Sequence, residues 1–156
     1  VLQHHHIQVK SDIYALAQLQ EWFRQLQNFL PKPIWMQCNL VLVEVFTNVV
    51  SYAHAELPEE TPVNIEVAID GIQEYLELRI WDFGEPFDLQ AAIEKATIQS
   101  QNNHNFKSVD DIPTGGRGLM IAQAVADEIR YEHHPDGRNC FVMNKKFGKG
   151  KLTLQP

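Results

Sequence analysis

Cysteine is scarce: Cys38 and Cys140 are the only two in 156 residues. Two thiols in a chain of this size do not make a disulfide framework, so both read as small buried hydrophobes of a reducing compartment. Positive charge is scarce too, with 13 Lys and Arg against 20 Asp and Glu and a formal net charge of −7. Binding to duplex phosphates wants a basic face, so direct nucleic-acid binding is a poor reading. No apolar run approaches the ~20 residues of a membrane helix. Val1 to His6 offers neither a basic stretch nor an apolar core for a secretion signal. Repeats and low-complexity tracts are missing as well. These absences describe a soluble, cytoplasmic protein without a membrane partner. What remains is ordinary for a globular domain, 44 % hydrophobic and 21 % charged. The length suits one domain, residues 1–156, able to bury about two-thirds of its unfolded surface.

Along the chain, Ile7-Gln8-Val9-Lys10 alternates as a first strand does. His4, His5 and His6 extend that strand or are a tag remnant; pointing to alternate faces, they cannot all ligate one ion. Ser11 or Asp12 caps a helix whose apolar positions are Ile13, Leu16, Leu19, Phe23, Leu26 and Leu30. Pro31 and Pro33 end it and open a second, from about Ile34 to Ala55. Val63, Ile65, Val67 and Ile69 then alternate, Asp70-Gly71 marks a turn, and Leu76, Leu78 and Ile80 alternate again. A loop from Phe83 leads to a short helix at Asp88. Residues 99–114 are polar and aperiodic, the composition of a mobile lid. A helix follows Thr114-Gly115-Gly116-Arg117-Gly118 and runs to about Asp127. The last hairpin pairs Ile129–His133 with Cys140–Phe147 across Pro135-Asp136-Gly137.

Three constellations carry chemistry. The second helix is apolar nearly all round, which marks a buried helix, yet it keeps a narrow stripe of Glu44, Thr47, Asn48 and Ser51. Glu44 and Asn48 stand four apart and share a face. They are either a satisfied core pair or a cleft wall, with Glu44 handling a proton and Asn48 offering its amide oxygen to a hard cation. Asp82 shares the parity of Leu76, Leu78 and Ile80, which puts its carboxylate on the apolar face at the strand end. An acceptor-only group there must meet a donor, a ligand amine or a backbone turn. Gly84, two residues on, lets a ligand approach the main chain closely. Finally, Gly115-Gly116-Arg117-Gly118 precedes a helix start, where free amides and the helix dipole favour an anion, or it is a flexible turn. The spacing fits neither a dinucleotide fingerprint nor a P-loop.

Taken in order, these motifs resemble the ATP-binding domain shared by type II topoisomerases, 90-kDa heat-shock chaperones, histidine kinases and mismatch-repair ATPases. The likeness is strongest to its small stand-alone branch, the anti-sigma-factor serine/threonine kinases. Val43 to Ala53 is similar to that branch's first motif, Asp82 to Asp88 to its second, and Gly115 to Leu119 to its third; the resemblance spans about residues 7–147. It implies an α+β fold, a two-layer sandwich with helices on one face of a mixed, mostly antiparallel sheet. It implies ATP between the layers, with Asn48 holding Mg²⁺ and Asp82 accepting from the adenine amine. Gly84 belongs to the second motif. Gly115, Gly116, Arg117 and Gly118 form the third, Gly116 and Gly118 lying under the phosphates. Glu44 becomes the general base.

The implied role is to bind a sigma factor and phosphorylate a serine of an anti-anti-sigma partner, with a homodimer through the first helix or strand as a further implication. Pro86, Met120 and Tyr52 depart from the branch's motifs, and 99–114 is longer than its lids. Two alternatives stand beside the kinase: a regulatory module that holds ATP and transfers nothing, and a histidine-kinase-like ATPase domain. Glu44 favours transfer to a hydroxyl, where a base helps, over transfer to an imidazole.

Overall fold

Alternating side chains build the sheet. In the computed structural model, which describes residues 2–86, 91, 94, 95, 98 and 117–148, five strands form it: β1 (Leu2–Lys10), β2 (Pro62–Asp70), β3 (Tyr75–Asp82), β4 (Glu128–His133) and β5 (Asn139–Lys146). Their order is β1-β2-β3-β5-β4, and every neighbouring pair is antiparallel. The register lines up one row of inward side chains across the whole sheet: Ile7, Ile65, Ile80, Phe141 and Tyr131. The adjoining row holds Asp82 opposite Asn139 and Asn139 opposite His133. The helices α1 (Leu16–Arg24), α2 (Lys32–Asn48) and α3 (Arg117–Val125) cover this inner face, giving the α+β sandwich that the motifs imply.

The core lies between these layers. Phe23, Phe46, Leu19, Leu42, Ile65, Leu78 and Ile80 are fully buried in it. Asp12 caps the first helical segment, its carboxylate accepting from the Tyr14 amide, while Ser11 is instead drawn inside. That segment is not one helix: 3₁₀ turns at Ile13–Ala15 and Gln25–Phe29 flank α1. Trp35 stacks on Phe23 at 5.3 Å, and its indole N–H donates to the Phe23 carbonyl at 2.9 Å, pinning α2 to α1.

Several sequence expectations change. β1 begins at Leu2, so the histidines are strand residues; His5 stacks on Phe29, and the Nε2 of His6 meets the Asn64 amide oxygen. The β2–β3 connection is not a two-residue turn. Asp70 accepts from the amides of Ile72 and Gln73, and Glu74 takes the positive φ of 55° that brings the chain back. α2 ends at Asn48 and passes into a π turn, Val49–Ala53. Together they make a 22-residue helix, Lys32–Ala53, that is long and apolar enough to cross a bilayer by length and composition, contrary to the reading that no segment is. Here it is a core helix, burying Cys38, Val41, Leu42, Val45 and Phe46 while Met36 and Leu40 stay exposed. Both cysteines are buried thiols, each pushed up to about 12 by desolvation. The lid expected over 99–114 lies outside the described residues.

Candidate functional site

Where β3 ends beside the last turn of α2, the layers part. A cavity of about 830 Å³ opens there, lined by Asn48 and Tyr52 from the helix, Ile80 and Asp82 from β3, Leu119 from α3, and Tyr131. Its volume is that of a small-molecule site, apolar-walled with few polar groups.

Asp82 is where its parity puts it, on the inner face and 4 % exposed. A carboxylate so buried must be met by donors. Its Oδ1 accepts from the Gly84 amide at 2.8 Å and from the Asn139 side-chain amide at 2.9 Å. Its Oδ2 accepts from the Tyr131 hydroxyl at 3.4 Å, a longer bond. Burial, and then the nearby carboxylate, push the Tyr131 phenol well above its ordinary range, so it stays a neutral donor. One Asp82 oxygen thus closes a backbone turn, the other meets the Tyr131 hydroxyl, and Asp82 and Tyr131 both line the cavity.

Gly84 has a packing reason of its own. A Cβ there would lie 2.5 Å from the Ala53 carbonyl oxygen and 2.9 Å from the Ala53 Cβ. Its bare α-carbon lets the loop sit against the end of the π turn, and its surface also lines the cavity. Asn48 lines the cavity one helical turn after Glu44. Glu44 is half-buried and is not among the lining residues, where Val45 stands instead. Arg117 and Gly118 form the first residues of α3, which therefore starts within the third motif and not after it, and ends at Val125. Gly115 and Gly116 lie outside the described residues.

Two further polar residues hold the site together, and sequence reasoning passed over both. Asn139, fully buried, donates from one nitrogen to Asp82 Oδ1 and to the Gly84 carbonyl at 2.7 Å, and its oxygen accepts from His133 Nδ1 at 2.7 Å. The signal available was parity: Asn139 shares the inward phase of Phe141 and Met143. His54, 2 % exposed, accepts the Phe83 amide on Nε2 at 2.8 Å. Its Nδ1 therefore carries the proton and donates to Ser11 Oγ at 3.0 Å. Burial lowers the His54 pKa from its ordinary value, with Asp82 pulling the other way. Among the described residues no cluster of three or more His, Cys, Asp or Glu is arranged to hold a metal ion.

Sequence comparison relates the chain to known proteins. Part of the chain, 87 residues, is 31 % identical to the serine-protein kinase RsbW of Oceanobacillus iheyensis; the match covers 56 % of this chain, which spans about half (51 %) of that relative's length. The profile of the histidine kinase-like ATPase domain matches residues 9–145, nearly the full length, and the chain belongs to that family.

Proposed function

We propose that the cavity takes the adenine of ATP and that the chain is a regulatory serine/threonine protein kinase of the anti-sigma type. The observation that carries the reading is Asp82: a buried carboxylate at the edge of an apolar cavity, with one oxygen fixed by two short hydrogen bonds and the other held only by a long one. That second oxygen is an acceptor suited to an exocyclic amine, and Ile80, Leu119 and Phe141 offer apolar surface to a flat base. The same acceptor disfavours guanine, whose carbonyl would face it.

Magnesium fits the donor chemistry on the helix side, where Asn48 lines the cavity and its amide supplies a hard oxygen; a bound Mg²⁺ would neutralise phosphate charge. Gly115 and Gly116, ahead of α3, and Arg117 and Gly118, in its first turn, would border the phosphates, where the first amides of a helix favour an anion. Glu44 would accept the proton of a partner's serine hydroxyl. The relative named a serine-protein kinase supports transfer to serine, and the motif resemblance supports a sigma factor and an anti-anti-sigma protein as partners.

One observation favours a second reading, a module that binds ATP and transfers nothing: Glu44 does not line the cavity among the described residues. Calorimetry with Mg-ATP and Mg-GTP tests the first step; millimolar ATP without a binding signal, or equal affinity for both nucleotides, overturns it. Labelled ATP with candidate anti-anti-sigma proteins tests the second step. ATP binding without label transfer to any of them leaves the module.

A further inference from the structure

His54 is a buried titratable side chain that the proposed chemistry does not use. It follows the π turn, and its backbone amide reaches Val49 five residues back at 2.7 Å. The ring joins three segments distant in sequence. Nδ1 holds Ser11, whose own amide is fastened to the carbonyls of Glu59 and Thr61; Nε2 holds the Phe83 amide; and the ring packs near the Phe83 ring at 6.5 Å. Phe83 lies between Asp82 and Gly84, inside the turn that Asp82 Oδ1 closes on the Gly84 amide. Two consecutive amides are thus held by two different groups, the first by His54 and the second by Asp82.

We propose that His54 is the positioning residue of this loop: its bare Nε2 fixes the Phe83 amide, and so the aim of the Asp82 carboxylate, and protonating the ring lowers affinity for adenine nucleotides. The proposal rests on the nucleotide reading of the cavity. Its chemistry is a donor–acceptor reversal. A protonated imidazole has two N–H groups and no acceptor, so its Nε2–H would confront the Phe83 N–H, while the bond from Nδ1 to Ser11 survives. Release is therefore confined to the loop side of the ring. The charged group acting on His54 is Asp82, on β3, which favours the proton; burial opposes it and is the larger influence. Ser11 and Phe83 carry no charge, and the other acidic groups facing the same cavity are Glu56 and Glu85.

The test has two arms. In the nucleotide-free wild type, the amide resonances of Phe83 and Gly84 are followed by NMR from about pH 8 to 5 alongside the His54 ring. They are expected to move with the ring; amides that stay still while the ring titrates overturn the proposal. In the second arm, Mg-ATP affinity is measured over the same range for the wild type and for His54→Gln, whose side-chain oxygen accepts the Phe83 amide and does not titrate. The variant is expected to match wild type within a few-fold at the alkaline end. Wild-type affinity should fall by about five- to tenfold more than the variant's on acidification, the scale of one hydrogen bond lost. Parallel profiles overturn the proposal, because phosphate and carboxylate titration is common to both proteins. If no nucleotide binds at any pH while the Phe83 amide follows the ring, the nucleotide reading is what fails, and the coupling of His54 to the loop is upheld.

Discussion

Replacing Asp82 with asparagine separates holding the fold from reading a base. Two donors converge on Oδ1, the Gly84 amide at 2.8 Å and the Asn139 amide at 2.9 Å. An asparagine at 82 must keep its carbonyl oxygen there, because its own NH₂ would face two donors. The NH₂ then takes the Oδ2 position beside Tyr131, whose hydroxyl can rotate to accept. For the fold, two charge-assisted bonds become neutral ones, a loss of roughly 1–2 kcal/mol that is offset by no longer burying a charge. Stability should change by no more than about 1 kcal/mol. For the ligand, the acceptor facing an adenine amine becomes a donor. Losing a hydrogen bond to a charged group costs about 1.5–3 kcal/mol, so Mg-ATP affinity should drop by about 10- to 150-fold. Urea denaturation and calorimetry on the same samples read the two quantities. Wild-type affinity in Asp82→Asn would refute the base-reading role. Stability and affinity falling by the same free energy would mark the carboxylate as a structural group alone.

Other outcomes follow from the same geometry. Gly84→Ala places a Cβ against the Ala53 backbone, so it should cost about 1–3 kcal/mol in denaturation and weaken nucleotide binding with it; an unchanged midpoint would show that the loop gives way freely. Glu44→Gln should bind Mg-ATP within a few-fold of wild type while transfer to a partner serine falls by ~10²–10⁴, and transfer at the wild-type rate would remove Glu44 as the base. His54 is held neutral by burial, so the unfolded chain takes up its proton first as pH falls. The stability it contributes is complete above the ring's ordinary pKa of about 6.5 and is lost as pH falls through its lower folded value, by at most about 1.4 kcal/mol per pH unit. The difference between the denaturation midpoints of wild type and His54→Gln should be constant above about pH 6.5 and shift against the wild type below it.

The residues legible in the sequence were those set by a local period. Strand parity alone put Asp82 on the apolar face, and helical spacing alone put Glu44 and Asn48 on neighbouring turns, because both patterns are fixed by backbone geometry within a few residues. What could not be read depends on events between elements. Asn139 reaches Asp82 only through the register of β3 with β5, and the sequence pattern starts that strand one residue later, at Cys140. His54 was hidden by the π turn. A regular helix would set it over Val50, which is half-buried; the wider turn sets it over Val49, which is buried, and so swings the imidazole inward. The Asp70-Gly71 pair misled because aspartate can organise a longer loop with its side chain as readily as a tight turn with its backbone.

The two faces of the sheet will tolerate sequence drift very differently. Inside, Ile65, Ile80 and Leu76 have no exposed surface, and each methylene removed leaves a void that neighbours cannot fill. Outside, Glu132 is shared by Arg79 at 3.2 Å, Arg130 at 2.7 Å and His134 at 3.0 Å, and Arg79 also holds Glu77 at 2.8 Å. Any one of those three partners can be lost while Glu132 keeps another, so this lattice is redundant where the interior is not. A population of variants selected only for a folded, ligand-competent chain should therefore accumulate its changes on the outer face, one charge at a time, and leave the row from Ile7 to Tyr131 almost untouched.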